Sequence, residues 1–329
     1  MVNCQAGKGV CCLLVTDAQN DFCEGALAAP AGLAVVRRIG EALCHARKQG
    51  QKTAGRHSSG GSSACESGCI SEVDCCKEIT SKQMLQAITS GSTDANGTTQ
   101  EDMSRNWWDI VVFSLDWHPS NHVSFLSSHS KECIRNICAC GNASLPNAAA
   151  QQAAGAAVKK AMTSLDPDAN WTVVSSASSS SKASAATICR LWPPHCVQGT
   201  HGSKLHRAVH ANLGDFVVFK GSDTSAECFS ACGAESAPTG LVPLLRSKAV
   251  ETVAVCGFCL EFCVAETAVS LRAAGFPNVV VLTDLTAAIF ENKQREIVEY
   301  LNSQGVRCVT LETFTKERTL LSTDLPSSE

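Results

Sequence analysis

Six short runs of uninterrupted apolar residues mark the chain: VCCLLVTD (10–17), DIVVFSLD (109–116), DFVVFKG (215–221), TVAVCGF (252–258), NVVVLTD (278–284) and VRCVTLE (306–312). They are rich in Val and do not alternate with polar residues. Strands buried on both faces read this way, whereas half-solvated strands show a period of two. Stretches 31–49, 263–275 and 291–303 read as helices between them. Repetition of strand, helix and strand predicts an α/β protein of three layers, α-β-α. Its sheet is mainly parallel and doubly wound, with right-handed crossovers.

Two stretches break this rhythm. Residues 52–105 are rich in Ser, Gly, Thr and Cys, and residues 127–187 in Ser and Ala. Neither carries enough apolar surface to offset the entropy of ordering it throughout. The expected organisation is a single domain over 1–329 with two largely disordered surface insertions, 52–105 and 127–187. Inside the second, a helix is expected after Asn147. Cys65, Cys69, Cys75 and Cys76 with Cys133, Cys138 and Cys140 lack the paired C-x-x-C spacing of a zinc knuckle.

With 44% apolar and 18% charged residues among 329, a large buried core is within reach. The formal net charge of −4 leaves no basic footprint for nucleic acid or an anionic membrane. The N-terminal apolar run meets Asp17 too early for a signal sequence or a span, so a cytoplasmic protein is expected. In that setting the 20 cysteines read mostly as reduced, small apolar side chains.

In a doubly wound sheet the ligand crevice lies beyond the carboxyl ends of the strands. Asp17 ends the first strand, Asp116 the second and Lys220 the third, and the fourth runs into GFCLEFCV with Cys256, Cys259 and Cys263. Asp116 and His118 lie two residues apart and so share a face. Pro193 and Pro194 stiffen the loop LWPPHCVQGT (191–200), which holds His195. A histidine held so rigidly either packs a turn or ligates a metal. With Asp116 and His118 it would complete a facial set with open positions, and His122 is a candidate fourth ligand. Cys263 opens a helix, where the dipole and a nearby lysine favour its thiolate. Asp17 could serve as its base with Lys220 holding the carboxylate, and the turn before Cys263 could aim backbone N–H groups at an oxyanion. Cys256, in mid-strand, reads as buried and inert.

The segments TDAQNDF, LDWHPSNHVSF, LWPPHCVQGT, VVFKGSDTSAE and GFCLEFCVAETA resemble, in that order, the motifs of the nicotinamidases among the isochorismatase-like cysteine hydrolases. The resemblance covers roughly 10–50, 106–126 and 187–314, and the two insertions have no counterpart in it. It implies an Asp17–Lys220–Cys263 triad and a divalent ion on Asp116, His118 and His195, zinc ahead of iron or manganese. His122 matches a residue that joins the metal shell in some members. Phe22 and Trp192 match walls of a pyridine pocket, and Phe229 stands where a pocket tyrosine is usual. The oxyanion N–H groups would be those of Cys259 and Cys263, with a cis peptide between Phe258 and Cys259. The implied reaction is hydrolysis of nicotinamide to nicotinate and ammonia through a thioester, in NAD salvage, with a homo-oligomer admitted. Cys259 and Glu261 depart from the usual small residue and Asp at their positions. Two other readings fit the sequence: a relative acting on a different amide or carbamoyl group, and a non-catalytic scaffold acting through the insertions.

Overall fold

The computed structural model describes residues 9–48, 76–79, 83–84, 88–89, 108–129, 191–234 and 237–323. The helix expected after Asn147, and Cys65, Cys69, Cys75, Cys133, Cys138 and Cys140, lie outside these residues.

All six apolar runs form strands. In chain order the elements are β1 (Val10–Thr16), α1 (Asn20–Cys23), α2 (Gly32–Lys48), β2 (Cys76–Glu78), β3 (Ile110–Asp116), β4 (Phe216–Lys220), β5 (Gly233–Ala234), β6 (Ala237–Pro238), α3 (Leu241–Ser247), β7 (Val250–Phe258), α4 (Ala265–Ala273), β8 (Asn278–Ala287), α5 (Gln294–Ser303), β9 (Arg307–Val309) and α6 (Leu311–Thr323). Seven strands pair in the order β2-β4-β3-β1-β7-β8-β9. Every pair is parallel except β2 with β4, and β5 pairs with β6 in a separate ribbon.

Successive residues of β1 enter opposite cores, which is why its run shows no alternation. Cys11, Leu13 and Val15 pack on one face with Val35, Val36 and Ile39 of α2 and with Phe314 of α6. Cys12 and Leu14 pack on the other with Leu241 and Leu245 of α3, Leu271 of α4, and Ile297 and Leu301 of α5. This is the expected three-layer arrangement. Among the described residues no helix is long and apolar enough to cross a membrane.

The stretch 52–105, read as a surface insertion, also contributes to the fold. Its residues 76–78 add the antiparallel edge strand β2, and Ile79 and Ile88 are fully buried in the first core. Three residues and two isolated isoleucines are too short a signal to stand out from Ser/Gly-rich surroundings.

Chain order sets the position of the site. From β1 the chain builds outward through β3 and β4, then returns to place β7 on the other side of β1. The strand order therefore reverses between β1 and β7, and a crevice opens there at the carboxyl ends.

Candidate active site

The strand ends place Asp17, Asp116, Lys220 and Cys263 together. Lys220 and Asp116 are direct partners in the β3–β4 register, and Asp17 follows Thr16, which is aligned with both Ser114 of β3 and Gly257 of β7. Beyond β7, a five-residue π-helical turn (Leu260–Val264) carries Cys263 into α4. One oxygen of Asp17, one of Asp116 and the sulfur of Cys263 lie within 4.8 Å of one another.

Lys220 ties them. Its Nζ lies 2.9 Å from Asp17 Oδ2, donates to Cys263 Sγ at 3.3 Å and donates to Asp116 Oδ1 in a close ion pair. Two carboxylates and the cysteine sulfur thus surround the ammonium group. An ion this deeply buried is sustained only by such compensation. Ser114 Oγ donates to Asp17 Oδ1 at 2.9 Å.

Burial dominates the electrostatics. It pushes Asp17 up to about 6, against the opposing pull of Lys220 and with the help of Asp116. A carboxylate with such a pKa suits general base and acid work near neutrality. For Asp116, burial raises the pKa, but Lys220 and then His118 outweigh it and hold the carboxyl well below its ordinary range. For Cys263, burial wins: the thiol is pushed well above its usual pKa although Lys220 pulls it down. This corrects the expectation of an acidified resting thiol. The helix start and the lysine are both present, yet the sulfur sits in a dry place that disfavours the anion. Cys256 is fully buried, and burial raises its thiol pKa, as an inert core position requires.

A second cluster adjoins the first. His118 Nε2 lies 3.4 Å and His195 Nε2 3.9 Å from Asp116 Oδ2. Both rings are anchored through Nδ1, His118 to the Gly221 carbonyl and His195 to the Pro193 carbonyl, each at 2.8 Å. A neutral ring whose Nδ1–H donates to a carbonyl presents an unprotonated Nε2, the form that ligates metals. Burial, with His118 next, pushes His195 down to about 4, so its ring is neutral. Gly221 (φ +66°) lies directly under His118: a Cβ there would stand 2.4 Å from Cε1. One carboxylate oxygen and two imidazole nitrogens fit a divalent transition ion.

His122 is not brought into this set. Its Nδ1 accepts from the Ser124 N–H and pairs with Ser124 Oγ, and its Nε2 donates to the Ala226 carbonyl at 3.1 Å. Its ring packs on His118 with centroids 4.2 Å apart. Both nitrogens are occupied within the protein, and the ring lies behind His118. Glu227 is the third member of a His118–His122–Glu227 group.

Aromatic rings pack beside the two clusters. Phe22 meets the edge of His195 at 5.5 Å, and Trp192 and Phe229 both pack on Phe262, at 5.2 and 5.5 Å. Phe262, Phe125, Ser114 and Gln19 were not singled out in the sequence. Ser114 could have been, since it lies two residues before Asp116 and so on the same face of β3. Cys259 precedes the turn, with a cis peptide between Phe258 and Cys259. The Cys259 carbonyl accepts the N–H groups that flank Cys263, from Phe262 at 3.0 Å and Val264 at 3.2 Å.

A parallel sheet with a thiol, a carboxylate and an ammonium group at its switch point has the architecture of an isochorismatase-like hydrolase. The chain belongs to the isochorismatase family: residues 132–313 match its isochorismatase domain. It is 25% identical to a nicotinamidase of Acinetobacter baylyi over 206 residues, which cover 62% of this chain and 75% of that protein. The fold matches a yeast nicotinamidase bound to the inhibitor nicotinaldehyde, with a TM-score of 0.57 and 20% identity over 92% of this chain and 100% of that one. It also matches a Pyrococcus horikoshii pyrazinamidase in complex with zinc, with a TM-score of 0.50 and 19% identity over 92% and 99%.

Proposed function

We propose that the protein is a nicotinamidase, deamidating nicotinamide to nicotinate and ammonia in NAD salvage. The observation that carries the reading is Lys220, which touches Asp17, Cys263 and Asp116 at once and so joins a nucleophile–base pair to a metal-ligand set. The curated relative from Acinetobacter baylyi and the yeast fold neighbour are both nicotinamidases.

Phe22, Trp192 and Phe229 would supply the walls for a flat ring, and Phe262 backs the last two. A divalent ion held by Asp116, His118 and His195, zinc by the donor set and by the complex of the archaeal neighbour, would act as a Lewis acid that fixes the pyridine nitrogen. Asp17 takes the thiol proton of Cys263 as sulfur attacks the amide carbon. Burial makes Asp17 a stronger base but the thiol a weaker acid, so the proton moves in step with sulfur attack and the transfer is completed as the new C–S bond forms. The backbone N–H groups of Cys259 and Cys263 receive the oxyanion. Asp17 then hands the proton to the departing nitrogen, and ammonia leaves a thioester on Cys263. Asp17 next deprotonates a water that attacks the thioester, and the proton returns to the sulfur as nicotinate is released. Lys220 keeps Asp17 oriented through both halves.

Ammonia release from nicotinamide tests the reading, with Cys263→Ala and Asp116→Ala alongside the zinc-loaded protein. Release lost in both variants is expected. Turnover by Cys263→Ala within about tenfold of the parent would remove it as the nucleophile. An intact, metal-bearing protein that spares nicotinamide but hydrolyses another small amide would move the substrate elsewhere in the family.

A further inference from the structure

Where β1 ends, a side chain continues its ladder. The β1–β3 register runs to Thr16 with Ser114 and closes with the Asp17 N–H donating to the Ser114 carbonyl at 3.0 Å. Asp17 then turns the backbone away, at φ +49°. No further β1 peptide is in register with Asp116, two residues on. The carboxamide of Gln19 meets it instead. Gln19 Oε1 accepts the Asp116 N–H at 2.9 Å, and Gln19 Nε2 donates to the Asp116 carbonyl at 2.8 Å. The other hydrogen of Nε2 goes to the Ser203 carbonyl at 2.7 Å, in the loop that leads on from His195. Gln19 is fully buried, and its amide is satisfied on every side by backbone.

We infer that Gln19 is a positioning residue for the metal centre, setting the backbone of Asp116 and the distance between it and the His195 loop through one planar amide. The inference rests on the reading that Asp116, His118 and His195 hold a divalent ion. Groups that orient a ligand without touching the metal typically matter about 10–100-fold in affinity. Gln19 would be such a group acting through the main chain. Asn20 supplies the contrast: its Nδ2 donates to the His201 carbonyl at 2.7 Å in the same loop.

The test uses cobalt(II) as the probe, read by chelator competition and by its visible absorption, in the full chain and its Gln19→Met, Gln19→Glu, Asn20→Ala and Asp116→Ala variants. Methionine keeps the length but none of the hydrogen bonds, and glutamate keeps the acceptor but loses the donors. If Gln19→Met does not fold by circular dichroism, Gln19→Glu carries the comparison. The expected result is cobalt affinity about 10–100-fold weaker in the Gln19 variants, with a shifted ligand-field band, and Asn20→Ala within about threefold of the parent. Gln19 variants with parental affinity and band would overturn the inference, as would an equal loss in Asn20→Ala, which would trace the effect to the loop. Parent protein that binds no cobalt, or binds it equally well as Asp116→Ala, would overturn the metal-centre reading and this inference with it.

Discussion

Gly257 offers a way to separate the base from the nucleophile without touching either. It lies in β7 at φ +112°, in register with Thr16 of β1. A Cβ at this position would stand 1.9 Å from the Thr16 carbonyl oxygen, 2.8 Å from its carbon and 2.9 Å from its nitrogen. All three are backbone atoms, so no side chain can swing clear. Contacts under 3.0 Å are essentially never seen for a real Cβ. Gly257→Ala must therefore part the ends of β1 and β7 by at least about 1 Å, in a closely packed layer that resists such movement. Asp17 is the next residue on one side, and Cys263 follows on the other. Misplacement of about 1 Å costs roughly 100-fold in turnover when reacting groups must meet. The backbone strain adds about 1–3 kcal/mol and the overpacking about 1–3 kcal/mol, for a loss of about 2–6 kcal/mol in stability. Gly275→Ala is the control: φ is +89°, but nothing lies within 4 Å of the added Cβ. It should lose only the conformational part, about 1–2 kcal/mol, and keep its turnover. Urea unfolding and ammonia release on the two variants decide the matter. Equal turnover in Gly257→Ala and Gly275→Ala would refute the claim that this close approach sets the spacing of the triad.

Three further outcomes follow from the site. Turnover should fall as pH drops through about 6, because Asp17 must be ionised to take the thiol proton and burial has raised its pKa to that value; a pH–rate profile flat down to pH 5 would exclude Asp17 as the base. The same raised pKa means that ionised Asp17 weakens the fold above its unfolded value of 3.8. Asp17→Asn should therefore be inactive yet more stable than the parent at pH 7 in urea unfolding, with the gap closing as pH falls from about 6 to about 4, between the folded and unfolded pKa values. Gly221→Ala should drive a methyl group into His118 Cε1 at 2.4 Å and weaken metal affinity by about 10–100-fold, measured by chelator competition.

The chain's one-dimensional pattern determined much of this protein. Strands buried on both faces must be apolar throughout, so all six were legible, and with intervening helices they dictate a parallel sheet and a crevice at its switch point. Asp17, Asp116, Lys220 and Cys263 were legible because each ends a strand or opens the helix after one, and His195 because two prolines hold its loop. Contacts across the fold were not legible, since they depend on register and depth. Only the folded chain occupies both nitrogens of His122, sets two carboxylates and a thiol around Lys220 and raises the Cys263 thiol through burial. Gln19 reads in sequence as one polar residue in a loop. Its role exists only because β1 stops short of Asp116, and where a strand stops relative to its neighbour is a property of the sheet.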